Sequence, residues 1–132
     1  MAAPANFMLS ERALDERTGL VSAEGDTNAV AAERLCRQVI LLAEAGKAVV
    51  IADLTAVTFV DSAVVNGLSD ASRALQKRDS RLIVVEPLDP RIAQPFEFGT
   101  LDRSVVLVPT LEAAGRAASP ARPSAAPAGE GQ

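Results

Sequence analysis

Two apolar runs, Ala48-Val49-Val50-Ile51-Ala52-Asp53-Leu54 with a single acid near its end and Arg81-Leu82-Ile83-Val84-Val85 apolar after its first residue, place the strongest limit on what this chain can fold into. Each has the length of a strand and is rich in β-branched residues. Strands with no polar face to offer water are interior strands covered on both sides, and such strands are usually parallel and joined through helices. The segment between the runs fits that demand. Val64, Leu68, Ala71 and Leu75 recur at helical spacing, which predicts a helix over 62–78.

Residues 7–14 and 18–23 read as two strands joined by the polar turn Asp15-Glu16-Arg17. Gly25-Asp26-Thr27-Asn28 supplies turn chemistry, with Asn28 as the N-cap of a helix over 29–45. That helix gathers Ala32, Leu35, Cys36, Val39, Leu42 and Ala43 on one face, leaves Glu33, Arg37 and Glu44 off it, and ends at Gly46. Pro87 and Pro90 stop the 81–86 strand. Pro90 opens a short helix toward Phe98, closed by Gly99. Residues 104–108 form a fifth strand, and Thr110 caps a last helix running to Ala118. The order β-β-α-β-α-β-α-β-α, with right-handed crossovers, predicts an α/β fold. It is a mixed, mainly parallel sheet of about five strands with about four helices packed against it.

Length and composition bound the rest. A chain of 132 residues that is 48% hydrophobic can bury one core. Residues 119–132, a mixture of Pro, Ala, Gly and Ser, are expected to form a disordered tail, and residues 1–6 a flexible start, which leaves 7–118 as the domain. A net charge of −4 without a Lys/Arg cluster interleaved with aromatics argues against a nucleic-acid surface. With no histidine and only Cys36, the chain can form neither an internal disulfide nor a Cys/His zinc site, and no serine or cysteine can be paired with a histidine base. No Gly-rich phosphate loop is present either. The expectation is a protein that is not an enzyme and carries no cofactor. Cys36, on the apolar stripe, is expected to be an inert thiol turned toward the sheet. The start lacks a basic segment followed by a long apolar run, and no stretch approaches bilayer length, so a cytoplasmic location without direct membrane insertion is expected.

The chemistry gathers at Phe59-Val60-Asp61-Ser62, where an apolar run ends on an acid and a hydroxyl as the 62–78 helix begins. Ser62 reads as the helix cap, and the same free N–H groups and helix dipole would receive an anion such as a phosphate. Cap and switch can be one residue. Asp61 has two readings, a turn residue bonding nearby N–H groups or a group that positions the serine. Asp53 by itself reads as a solvated strand end, and Thr55 carries less signal still.

The pattern apolar-Asp-Leu-Thr followed by apolar-Phe-apolar-Asp-Ser, from Ile51 to Ser62, resembles the STAS domain of bacterial anti-sigma factor antagonists. Arg81-Leu82-Ile83-Val84-Val85 and Phe96-Glu97-Phe98-Gly99-Thr100-Leu101-Asp102 support it, and it spans about residues 7–118. The resemblance implies a module that binds an anti-sigma factor of the serine-kinase type and so frees a sigma factor. The partner, using its own ATP, would phosphorylate Ser62 and break the complex. Asp53, Thr55, Asp61, Ser62, Ala63, Val64, Val65 and Asn66 would then be the partner-binding residues, with Asp61 presenting the serine and Asp53 near it. One departure stands out. The family usually follows Asp-Ser with a small or hydroxyl residue, then glycine and leucine, whereas this chain has Ala63, Val64 and Val65. A β-branched Val64 would narrow a partner's approach and mark either an altered partner preference or a member that binds without being switched. The alternative function is a non-catalytic STAS scaffold, or an accessory subunit of a transporter or lipid-trafficking ATPase. A small-ligand-binding domain is the third.

Overall fold

The two apolar runs become neighbours in the middle of one sheet. In the computed structural model, which describes residues 2–119, strand β3 (Val49–Val60) pairs in parallel with β4 (Arg81–Val85), from Val49 opposite Arg81 to Asp53 opposite Val85. On one face Val50, Ala52 and Leu54 join Leu82 and Val84 beneath helices α1 (Ala29–Glu44) and α2 (Ser62–Gln76). On the other, Val49, Ile51, Ile83 and Val85 meet Ala114 and Ala118 of a terminal helix, Leu111–Ala118. Full burial of each such side chain is worth about 1.5–3 kcal/mol, so these two strands anchor both layers.

The remaining elements complete the expected order. Strands β1 (Met8–Ala13) and β2 (Thr18–Thr27) form an antiparallel hairpin, and β2 lies parallel to β3. Helix α3 (Pro90–Phe98) leads to the short β5 (Val106–Val108), parallel to β4, and α4 is the terminal helix. The five strands lie in chain order, which is the mixed, mainly parallel α/β sheet expected. Asn28, Asp89 and Thr110 each accept a backbone N–H at the start of α1, α3 and α4. Residues 120–132, which hold most of the expected tail, lie outside the described residues.

Two strands outrun their expected ends, and for one reason. Gly25, Asp26 and Thr27, read as a turn, are strand because β3 itself continues to Val60 and gives them partners: Val57, Phe59 and Val60. Twelve residues of β3 lie against ten of β2, and the surplus is taken up at register shifts between Ser22 and Glu24 and between Gly25 and Asp26. The shifts change the phase of the strand. Leu54, Val57 and Val60, spaced by three rather than two, all pack against the α1/α2 layer, while Phe59 turns outward, 48% exposed.

The segment before β1 is tied to this extension. Asn6 Oδ1 accepts the Asp26 N–H at 3.2 Å, and Asn28 Nδ2 donates to the Ala2 carbonyl at 3.2 Å. Gly25 makes the crossing possible: its φ is +85°, and a Cβ there would stand 2.1 Å from the Asn6 carbonyl oxygen. Cys36 differs from expectation in direction. Its sulfur faces Gly67 of α2 rather than the sheet, where a Cβ on Gly67 would stand 2.8 Å away. Burial, with Asp70 nearby, pushes the thiol up to about 12, so little thiolate is present at neutral pH.

Gly25→Ala combines a backbone conflict with a steric one. It should lower stability by about 1–3 kcal/mol in urea unfolding, and an unchanged midpoint would show that the N-terminal segment does not press on β2.

Candidate functional site at the start of helix α2

The junction between β3 and α2 is fixed before any side-chain chemistry begins. The Asp61 N–H donates to the carbonyl of Thr27 at 3.1 Å, continuing the β2–β3 pairing to the last residue before the helix, and Thr27 is fully buried. Asp61 is then the N-cap. Its backbone is extended, with φ −81° and ψ 151°, and its Oδ1 accepts the Ala63 N–H at 2.9 Å. The expected cap, Ser62, is instead the first residue of the helix. Aspartate and serine are both good caps, and the length of β3 sets which one stands at the boundary.

This one-residue correction changes what the serine can do. Its side chain is exposed, and its Oγ donates only a long bond, 3.5 Å, to Asp61 Oδ1. The hydroxyl is therefore not used to hold the helix together. It points outward at the positive end of α2, beside a carboxylate that already satisfies the Ala63 N–H.

The other candidates divide. Ala63 is half-buried and Asn66 exposed on the same helical end. Val64 and Val65 are 1% and 5% exposed and belong to the core beneath α2. They set how the helix sits and offer no surface to a partner. The β-branch of Val64 accordingly faces inward and does not narrow an approach to Ser62, which corrects that expectation. Asp53 is on the opposite side of the sheet, in the phase of Val49 and Ile51, where it lines a cleft with Ser22 and Leu111. Its Oδ1 accepts the Thr55 N–H at 3.0 Å at the register shift, and the Thr55 carbonyl accepts the Leu88 N–H at 3.2 Å. Asp53 and Thr55 thus shape the bulged strand and the β4–α3 loop, and the acid at the serine is Asp61.

Sequence reasoning missed the group that holds α2 from its far side. Ser69 accepts the Asp102 N–H at 2.8 Å, Ser72 and Ser104 share a hydroxyl bond at 2.6 Å, and Arg73 donates to Asp102 Oδ1 at 2.9 Å. Hydrogen bonds from the Ser104 hydroxyl and N–H, then from Arg73, hold the Asp102 carboxyl at about 2. The inward turn of Val57 also escaped sequence reasoning, although the spacing Leu54, Val57, Val60 was visible as a signal that the phase shifts. Among the described residues there is no cluster of three or more metal-binding side chains, and no helix is long and apolar enough to cross a membrane.

The model of the STAS domain family matches residues 11–114. The chain belongs to the STAS domain family. Its structure is similar to that of an anti-sigma factor antagonist from Mycobacterium paratuberculosis, at 25% identity and a TM-score of 0.75, over 89% of this chain and 98% of that one. The anti-sigma factor antagonist SpoIIAA in its unphosphorylated form gives 18% identity and a TM-score of 0.63, over 83% and 96%. The Bacillus cell fate determinant SpoIIAA in its phosphorylated form gives 19% and 0.63, over 83% and 99%. At these last identities what is shared is the fold. Among curated proteins, none matches the sequence.

Two outcomes follow for this STAS domain. Asp61→Ala should cost about 0.5–2 kcal/mol as a lost cap, whereas Ser62→Ala should stay within about 0.5 kcal/mol of wild type. Equal losses in chemical denaturation would return the capping role to Ser62. The Asp102 carboxyl binds its proton less readily folded than unfolded, so its contribution is complete above about pH 4 and is lost as pH falls toward 2. Asp102→Asn should flatten the pH dependence of the unfolding midpoint across that window.

Proposed function

We propose that this STAS domain is an anti-sigma factor antagonist that binds an anti-sigma factor of the serine-kinase type through the surface around Ser62. Binding would free a sigma factor, and phosphorylation of Ser62 would end it. The observation that carries this reading is the outward hydroxyl of Ser62 at the positive end of α2, held only by a long bond to Asp61, with capping supplied separately by Asp61. A hydroxyl that stabilised its own helix could be modified only at a cost to folding, and this one is free of that tie.

Within this reading the domain supplies a surface and an acceptor, while ATP and the groups that transfer its phosphate belong to the partner. Contact would fall on Ser62, Ala63 and Asn66, with exposed Phe59 as an aromatic anchor beside them. The same reading places the domain in the cytoplasm with its partner.

The test is to incubate the protein with a candidate anti-sigma kinase and ATP, map any phosphate by mass spectrometry, and measure binding in parallel. Ser62→Ala should bind like wild type and take no phosphate. Ser62→Asp, with about half the charge of a phosphate, should fold normally and bind more weakly. If Ser62 remains unmodified and the folded Ser62→Asp variant binds as tightly as wild type, the switch is refuted and a non-switched STAS scaffold takes its place.

A further inference from the structure

Helix α1 carries a second apolar strip besides the one it buries on the sheet. Cys36, Ile40 and Leu41 stand on the side that looks toward α2, and Leu41 is 46% exposed. Both helices connect parallel strands and therefore run side by side in the same direction. The facing residues of α2 are small, Ala63, Gly67 and Ala71, and they leave an open groove of about 760 Å³. Along α1 it extends from Ala29 to Glu44, which at about 1.5 Å per residue is roughly 24 Å, the length of a four-turn helix.

Two features say what the groove would take. Its mouth is lined by Ala63 and Asn66, directly beyond Ser62, so a partner on the serine would lie against the start of the groove. Its edge carries Glu33, Glu44 and Asp70 against a single cation, Arg37, which stands 3.9 Å from Glu33. Asp70 is also paired with Arg73, which leaves Glu44 as the carboxylate at the far end without an ion-pair partner among the described residues. An apolar floor with an acidic edge is complementary to an amphipathic helix with basic flanks.

We propose that the α1–α2 groove receives an amphipathic helix of the protein that reads Ser62, its apolar side on Cys36, Ile40 and Leu41 and its Lys or Arg residues toward Glu44. The identity of that protein rests on the function proposed above, whereas the groove can be tested without it. A labelled model peptide of about sixteen residues, enough for four helical turns, with leucines at i, i+3, i+4 and i+7 spacing and lysine flanks, would be titrated with the full chain by fluorescence anisotropy. Saturable binding is expected. Leu41→Glu should weaken it by about tenfold or more, and Glu44→Lys should weaken it without disturbing any buried contact. Replacing the peptide lysines by glutamates should also weaken it. No saturable binding, or equal binding by the folded Leu41→Glu and Glu44→Lys variants, overturns the proposal, as does equal affinity for the acidic peptide. Phosphate mapping at Ser62 is a separate readout, so failure of the groove and failure of the switch are distinguishable.

Discussion

Strand β3 is the constraint from which the rest of the structure follows. Its first half is buried on both faces, which commits the chain to helices on both sides of the sheet. Its second half is bent by two register shifts against β2, and these invert the facing of the residues between them, Ala56 to Thr58. Strict alternation after Leu54 would have sent Ala56 and Thr58 to the core and Val57 outward. The shifts instead bury Val57, return Phe59 to the outward face and bring Asp61 to the end of the strand with its N–H bonded to Thr27. The exposed serine and the exposed aromatic are consequences of strand geometry.

The cap at Asp61 separates two jobs that one residue could have held. A helix start needs an acceptor for its free N–H groups, and a modifiable hydroxyl needs freedom from the fold. Supplying the acceptor one residue early leaves the Ser62 hydroxyl free of the capping role. Deeper in α2, the bonds from Ser69, Ser72 and Arg73 to the segment around Asp102 fix the helix body independently of its first turn. The first turn of α2 therefore belongs to a helix already secured elsewhere.

Much of this was legible in the sequence. The element order, the interior position of β3 and β4, the caps at Asn28 and Thr110 and the opening of α3 at Pro90 all follow from local pattern, because each depends on residues within one turn or one strand. What escaped depends on partners far away in sequence. The continuation of β3 through Thr55–Val60 needs β2 beside it, and Gly25-Asp26-Thr27 looks like a turn until that strand is present. The choice between Asp61 and Ser62 as cap turns on where the strand ends. The inward direction of Val64 reflects the seating of α2 over the core, and the turn of Cys36 away from the sheet reflects the closeness of Gly67. The bonds around Asp102 join residues about thirty positions apart, beyond any local pattern.

The electrostatics at Ser62 indicate where a phosphate would act if it is added as proposed. It brings about −1.5 to −2 charges to a helix start that favours negative charge by roughly 0.3–1 kcal/mol. The neighbouring Asp61 carboxylate opposes it, at about 1 kcal/mol per pair of unit charges 4 Å apart in water. The two effects are of similar size and opposite sign, so the free domain would stay folded. Against a partner the balance is different, because water leaves the contact and the same charges interact about four times more strongly at an effective dielectric constant near 20. A buried unpaired charge of that kind costs about 2–5 kcal/mol at an interface. The phosphate would be nearly silent in the free protein and decisive in the complex, and that asymmetry lets one hydroxyl on an exposed helix start govern association without endangering the fold.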